Sequence, residues 1–216
     1  MNYQTILFDL DGTLTDPGLG ITNSVMYALG KFGITVEDRS DLYCFIGGPL
    51  RESFADYYGF SEDDAALAVK YYREYYVPRG IFENVVYGGI ENLLKTLRDD
   101  GRTLLVATLK PTVFAIQVLE HFGLDRYFDF ISGSELDGSR DDKRAVIDHA
   151  FLSSPSADPM SAIMVGDRSH DILAAKGKGI DSIGVLYGYG GREELTGAGA
   201  GHIAETVAEL SAFLTV

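Results

Sequence analysis

Two short segments hold most of the chemistry this sequence could perform. In Phe8-Asp9-Leu10-Asp11-Gly12-Thr13-Leu14-Thr15-Asp16, two carboxylates, Asp9 and Asp11, follow directly on the apolar run Thr5-Ile6-Leu7-Phe8. Residues two apart on an extended chain point to one side, and Gly12 lets the backbone turn straight afterwards. Both acids can therefore border one site. Gly166-Asp167-Arg168-Ser169-His170-Asp171 repeats the arrangement after a second apolar run, Ala162 to Val165. If a helix starts near Arg168, Asp167 and Asp171 lie close together at its amino-terminal end. Either cluster alone has an ordinary reading as helix caps and turn residues. Four carboxylates converging on strand ends repel one another, however, and an oxygen-rich site of that kind suits magnesium. Thr108, which closes the run Leu104 to Thr108, and Lys143, which opens a helical pattern, add a hydroxyl and an ammonium of the kind that would complete a phosphoryl site.

The elements that must position these residues are short buried strands alternating with helices. Strands are expected at Thr5 to Phe8, Leu104 to Thr108, Phe128 to Ser132, Ala162 to Gly166 and Ser182 to Val185. Helical patterns run from Ile90 to Asp100, from Pro111 to Phe122, and over Lys143 to Phe151, Asp171 to Lys176 and Ala204 to Leu214. This alternation predicts an α/β fold with a doubly wound, mostly parallel sheet, Rossmann-like in its core, and ligands at the carboxyl ends of the strands. Gly197-Ala198-Gly199-Ala200-Gly201 reads as a loop, because it lacks the strand-turn-helix setting of a dinucleotide site.

Residues 16–80 break the alternation. They offer helices near Ile21 to Phe32, Pro49 to Tyr58 and Glu62 to Val77 without a convincing strand, and hold eight of the 13 tyrosines. The reading is a helical insertion, with residues 1–15 and 81–216 forming the core. Tyr71, Tyr72, Tyr75 and Tyr76 recur at helical spacing, which favours packing between helices over stacking on a nucleobase.

Composition narrows the function. The chain has 216 residues, with 18 Lys plus Arg against 32 Asp plus Glu, a formal charge of −14. So acidic a surface disfavours nucleic acid and anionic membranes, although a metal ion can invert the potential inside one cleft. Cys44 is the sole cysteine, so no intrachain disulfide or thiolate zinc site can form, and a reducing, cytoplasmic compartment is expected. No signal-like start or membrane-length apolar stretch is evident.

The ordered set Asp9-x-Asp11-Gly12-Thr13, Thr108, Lys143 and Gly166-Asp167-x-x-x-Asp171 resembles the haloacid dehalogenase-like hydrolase superfamily, and most of all its phosphoglycolate phosphatase-like branch with a helical cap. The resemblance spans nearly the whole chain. It implies that Asp9 is a nucleophile attacking phosphorus, that Asp11 is general acid and then general base, and that Thr108 and Lys143 hold the transferring oxygens. It further implies a Mg2+ ion held by Asp9, the main-chain carbonyl of Asp11 and Asp167, with Asp171 as a nearby ligand. The expected function is hydrolysis of a small phosphorylated metabolite, phosphoglycolate-like or a nucleoside monophosphate, by a monomer or homodimer. Arg51, in Phe45-Ile46-Gly47-Gly48-Pro49-Leu50-Arg51, is either a surface arginine or a group that pairs with a substrate anion. Leu109 departs from relatives that carry a small polar residue after the threonine, and Lys110 beside it is a secondary cation. Pyrophosphatase and sugar phosphomutase activities stay open within the superfamily. Outside it, a phospho-acceptor receiver would share the acidic pocket but needs neither a second aspartate at this spacing nor a helical insertion, and the intact catalytic positions argue against a non-catalytic phosphometabolite-binding protein.

Overall fold

A computed structural model describes residues 3–215. In chain order the elements are β1 (Thr5–Phe8), β2 (Thr15–Asp16), α1 (Gly18–Lys31), α2 (Leu50–Tyr58), α3 (Glu62–Tyr76), β3 (Val85–Val86), α4 (Ile90–Asp99), β4 (Thr103–Pro111), α5 (Thr112–His121) and β5 (Phe130–Ser134). They continue with α6 (Lys143–Ser153), β6 (Ala162–Gly166), α7 (Ser169–Gly177), β7 (Asp181–Val185), α8 (Arg192–Ala198), β8 (His202–Ala204) and α9 (Val207–Leu214). The chain divides into two units, one running to Thr15 and resuming at Val86, the other Asp16–Val85.

The first unit is built on a six-stranded sheet in the order β5-β4-β1-β6-β7-β8, with every neighbouring pair parallel. From β1 the strand order runs outward through β4 to β5, then restarts on the other flank of β1 with β6. The carboxyl end of β1 is therefore flanked by those of β4 and β6, where a doubly wound sheet opens a crevice. Leu7, Leu105, Ala107 and Met164 pack against Val146, Ile147 and Ala150 of α6 and Ala174 and Ala175 of α7. On α4 the buried stripe is Ile90, Leu93, Leu94 and Leu97, and Gly101 follows at φ 75°.

Several elements depart from the sequence expectation. β4 continues to Pro111, with a register shift between Ala107 and Pro111. Proline keeps the residue before it extended, and Ser134 Oγ donates to the Leu109 carbonyl at 2.6 Å. β5 begins at Phe130 rather than Phe128, because a turn of 3-10 helix, Asp125–Tyr127, ends on Phe128. Ala204 closes a strand, β8, and does not open the last helix, which starts after Thr206, whose side chain accepts from the Glu209 N–H. Gly197 and Ala198 belong to α8, so only the end of the glycine-alanine run is a loop.

The second unit consists of α1, α2 and α3 with 3-10 turns at Arg39–Phe45 and Gly80–Phe82. Its core is aromatic. Phe45 and Phe54 have ring centroids 4.9 Å apart, Phe32 and Phe60 lie at 4.6 Å, and Tyr72 stacks on Tyr76 at 5.1 Å. Residues 81–85 stay with this unit rather than with the core. The Gly20 N–H donates to the Glu83 carbonyl at 3.0 Å, and the Glu83 carboxylate accepts from Asn23 on α1 and Tyr75 on α3. A Cβ on Gly20 would lie 1.9 Å from the Gly80 carbonyl oxygen, so glycine is what allows this approach.

Candidate active site

The chain leaves β1 still bonded to its neighbour, the Asp9 N–H donating to the Val165 carbonyl at 2.9 Å. It then turns at Gly12, φ 85°, where the Gly12 N–H reaches the Thr15 carbonyl. That turn leaves Asp9 and Asp11 buried at the sheet's carboxyl edge. The end of β6 brings Asp167 to the same place, and the first turn of α7 brings Asp171, both fully enclosed. Carboxylate oxygens of Asp9, Asp167 and Asp171 lie within 4.8 Å of one another.

Glycines make this convergence possible. A Cβ on Gly12 would stand 2.2 Å from Asp167 Oδ2, and one on Gly166 would stand 2.2 Å from Asp171 Cγ. The loop after β7 does the same from the other side, since Cβ atoms on Gly188 and Gly190 would collide with Asp167. That loop also donates the Tyr189 N–H to Asp167 Oδ2 at 2.8 Å and the Tyr187 hydroxyl to the Thr13 carbonyl at 3.1 Å.

Two lysines answer the acids. Lys143, at the start of α6, places Nζ 2.9 Å from Asp9 Oδ1, 2.7 Å from Asp171 Oδ1 and 2.9 Å from the Ala107 carbonyl. Lys110, in the extended end of β4, places Nζ 2.5 Å from Asp11 Oδ2. Thr108 is 2% exposed, and its Oγ1 accepts from the Lys110 N–H at 3.2 Å.

Within this cluster four buried carboxylates face two buried ammoniums. The imbalance registers in their acidity. Burial, then Asp9 and Asp171, push Asp167 well above the carboxylate range. Burial lifts Asp171 to about 6 against the pull of Lys143, and lifts Asp11 against that of Lys110. Burial disfavours a charged Lys143, but Asp171 and Asp9 outweigh it and hold the ammonium above its ordinary value. Asp11 Oδ1 and Asp167 Oδ1 are buried without a hydrogen-bond partner among the described residues. An excess of carboxylate, orphaned oxygens and an all-oxygen donor set fit a hard divalent cation such as Mg2+.

The structure thus gathers Asp9, Asp11, Thr108, Lys143, Asp167 and Asp171 at the ends of β1, β4 and β6 and the starts of α6 and α7. Arg51 belongs to the other unit, exposed in the first turn of α2. His170 lies exposed on α7. Sequence reasoning gives Lys110 little weight and overlooks the glycine loop after β7. It also overlooks Glu194, which accepts from Arg168 Nε at 3.0 Å and the Ser169 N–H at 2.8 Å, and so braces the turn carrying Asp167. The alternation of small residues with tyrosine in Tyr187-Gly188-Tyr189-Gly190-Gly191, one residue beyond a strand, is the signal that could have found the loop.

Residues 6–185 match the family model described as haloacid dehalogenase-like hydrolase. The chain belongs to that family. A 5′-nucleotidase of Pseudomonas aeruginosa is 47% identical over 210 residues, covering 97% of this chain and 95% of that protein. The tyrosine-protein kinase PtkA of Mycobacterium tuberculosis is 41% identical over 188 residues, 87% of this chain but only 63% of that protein. Phosphoglycolate phosphatases of Vibrio species are more distant, that of Vibrio vulnificus being 31% identical across 96% of this chain and 94% of its own length. Among solved structures, a predicted phosphatase from Clostridium acetobutylicum superposes with a TM-score of 0.95 at 51% identity, over 99% of both chains. The haloacid dehalogenase-like fold therefore extends over the helical unit as well as the sheet. No helix among the described residues is long and apolar enough to cross a membrane.

Proposed function

We propose that this family member is a magnesium-dependent phosphatase that hydrolyses a small phosphomonoester, a nucleoside monophosphate before a phosphoglycolate-like ester, through an aspartyl-phosphate on Asp9. The observation that carries the reading is the pairing of two buried acids two residues apart with different partners. Asp9 is tied to Lys143 and faces Asp167 and Asp171, while Asp11 is tied to Lys110. Two carboxyls with different surroundings suit two roles.

In the first step an Asp9 oxygen bonds to phosphorus as the bond from phosphorus to the leaving oxygen breaks. The electron pair stays on that oxygen, which takes a proton from Asp11. Burial keeps Asp11 able to carry that proton. In the second step Asp11 removes a proton from water, the water oxygen bonds to phosphorus, and the electron pair of the acyl-phosphate bond returns to Asp9. Free phosphate and the starting enzyme result. Thr108 Oγ1 and Lys143 Nζ hold the phosphoryl oxygens and offset their charge. Asp9, Asp167, Asp171 and the main-chain carbonyl of Asp11 would hold the Mg2+, which when bound supplies positive charge that lets the crowded carboxylates ionise and the anionic ester approach.

The higher identity to a 5′-nucleotidase than to phosphoglycolate phosphatases supports the order of substrates. Arg51, by its planar fork of donors, suits a second anionic group on the substrate. The lone Cys44 suits a reducing cytoplasm. The test is magnesium-dependent phosphate release across nucleoside monophosphates, phosphoglycolate, sugar phosphates and pyrophosphate, run beside Asp9→Asn. Turnover of one ester class that vanishes in the variant supports the reading. Transfer of the phosphoryl group to a second sugar position would replace it with a mutase, and no turnover with magnesium bound would replace it with a binding role.

A further inference from the structure

Lys110 is a buried lysine in the site that the two-step scheme above leaves without a role. It sits 9% exposed at the extended end of β4, and a buried ammonium is costly unless something in the fold uses it. Lys143 already serves Asp9 and Asp171. Lys110 instead reaches Asp11 Oδ2 at 2.5 Å, while Asp11 Oδ1 is buried without a hydrogen-bond partner among the described residues. Its backbone N–H also holds Thr108 Oγ1 at 3.2 Å. The segment that carries it is itself fixed, by Pro111 after it and by Ser134 Oγ on the Leu109 carbonyl before it.

We propose that Lys110 is a positioning residue that clamps Asp11 Oδ2, so that Oδ1 alone faces the leaving oxygen and moves the proton, while its main-chain N–H orients the Thr108 hydroxyl. The assignment rests on the role given to Asp11 above. The two lysines then do different things, since Lys143 balances the nucleophile and its acidic neighbours, and Lys110 aims the acid. Misplacing a carboxyl by about 1 Å can slow proton transfer about 100-fold while leaving phosphorus as open to attack as before.

A consequence separates this role from a merely structural one. An alkyl phosphate needs its leaving oxygen protonated, whereas dinitrophenyl phosphate releases a stable anion that needs no proton. The experiment is rapid mixing of the magnesium-loaded enzyme with AMP, or with the alkyl phosphate of the panel that is turned over fastest, and with dinitrophenyl phosphate, reading release of the leaving group in the first turnover. Lys110→Met is expected to slow that release about 100-fold for the alkyl ester, the usual worth of general-acid catalysis. For dinitrophenyl phosphate the burst is expected to slow less than about threefold, with KM little changed for either substrate. Lys110→Arg, which keeps a cation of similar reach, is expected to recover at least about tenfold of the loss.

Equal slowing on both esters would overturn the proposal and place Lys110 on the phosphoryl group. A raised KM with kcat intact would overturn it in favour of a substrate contact. If Lys110→Met fails to fold by circular dichroism, Lys110→Gln takes its place as the loss variant, with Lys110→Arg still as the rescue. Asp9→Asn guards the underlying reading: a surviving burst there would remove the aspartyl-phosphate scheme, whereas a lost burst beside equal slowing in the Lys110 variants would remove the clamp alone.

Discussion

The unit built on the parallel sheet buries Asp9, Asp11, Lys110, Lys143, Asp167 and Asp171 around the carboxyl ends of three adjacent strands, whereas the unit Asp16–Val85 buries rings: Phe45, Phe54, Tyr72 and Tyr76. Among its described residues the helical unit encloses polar side chains such as Thr22, Ser24 and Ser53, but no charged one. Thr22 and Ser24 each donate to a carbonyl one helical turn back, so their hydroxyls are satisfied locally. The buried charges around the acids are satisfied mostly by one another, with the Ala107 carbonyl on Lys143 and the Tyr189 N–H on Asp167 as main-chain partners. Burying ions this way is a poor route to stability, because desolvation rivals the attraction it permits. Packing rings is a good route. One unit therefore concentrates electrostatic tension where the other concentrates cohesion, and substitutions should divide accordingly.

The largest effect should come from Asp9→Asn. Phosphate release is expected to fall at least about a thousandfold, the scale seen when a nucleophile is removed. Thermal unfolding without metal should shift by only a few degrees, roughly the scale of a mild substitution, since one of four crowded carboxylates is gone and Lys143 keeps Asp171. A large drop in melting temperature would mean that Asp9 holds the fold together.

Lys143→Met tests the opposite case. It strands Asp9 and Asp171 without their shared ammonium, and breaking a buried pair costs about 3–5 kcal/mol. Denaturant unfolding of the metal-free protein measures this, and added magnesium should restore part of the loss by taking over the positive charge. In the helical unit Phe54→Ala, at a fully buried ring touching Phe45 and Phe60, should cost about 3 kcal/mol or more. Tyr57→Ala, at a residue 56% exposed, should cost under about 1 kcal/mol. Near-equal losses for the two rings would dissolve the contrast between the units.

The smallest effect concerns acidity. Asp171 is lifted to about 6, and Asp167 is also raised, both above the values these carboxyls have in the unfolded chain. Raised carboxyls favour the metal-free fold below their unfolded values, and that contribution is lost as pH rises through the folded ones. Metal-free protein should therefore melt roughly a few degrees lower at pH 8 than at pH 5.5. Magnesium, which prefers ionised ligands, should raise the melting temperature more at pH 8 than at pH 5.5. A scan in which the magnesium effect is the same at both values would argue that these acids are already ionised.

Much of the sheet unit was legible because its signals are local. Apolar runs of four or five residues ending in aspartate and glycine marked β1 and β6, and the amphipathic stripe before Gly101 marked α4. What escaped was set by partners distant in sequence. β8 is three residues long and exists because β7 offers an open edge, through Ile183 opposite His202. Residues 109–111 stay extended because Ser134 and Pro111 hold them, and only that extension carries Lys110 to Asp11. The helical unit was legible as packing, since Tyr72 and Tyr76 recur four apart and are buried. Its bearing on substrate was not, because an exposed arginine such as Arg51 looks the same in sequence whether it meets water or an anion.

The glycines that admit the acids also decide how this site can change over time. Gly12, Gly166, Gly188 and Gly190 each leave empty the volume of a single methyl group that Asp167 or Asp171 needs. Every one-base change in a glycine codon that alters the residue adds at least a Cβ. No neutral single step thus leads away from these four positions. Among descendants of this gene these letters with no functional group should be as immobile as the acids they admit, and neither set could drift until the volumes between them had been rebuilt.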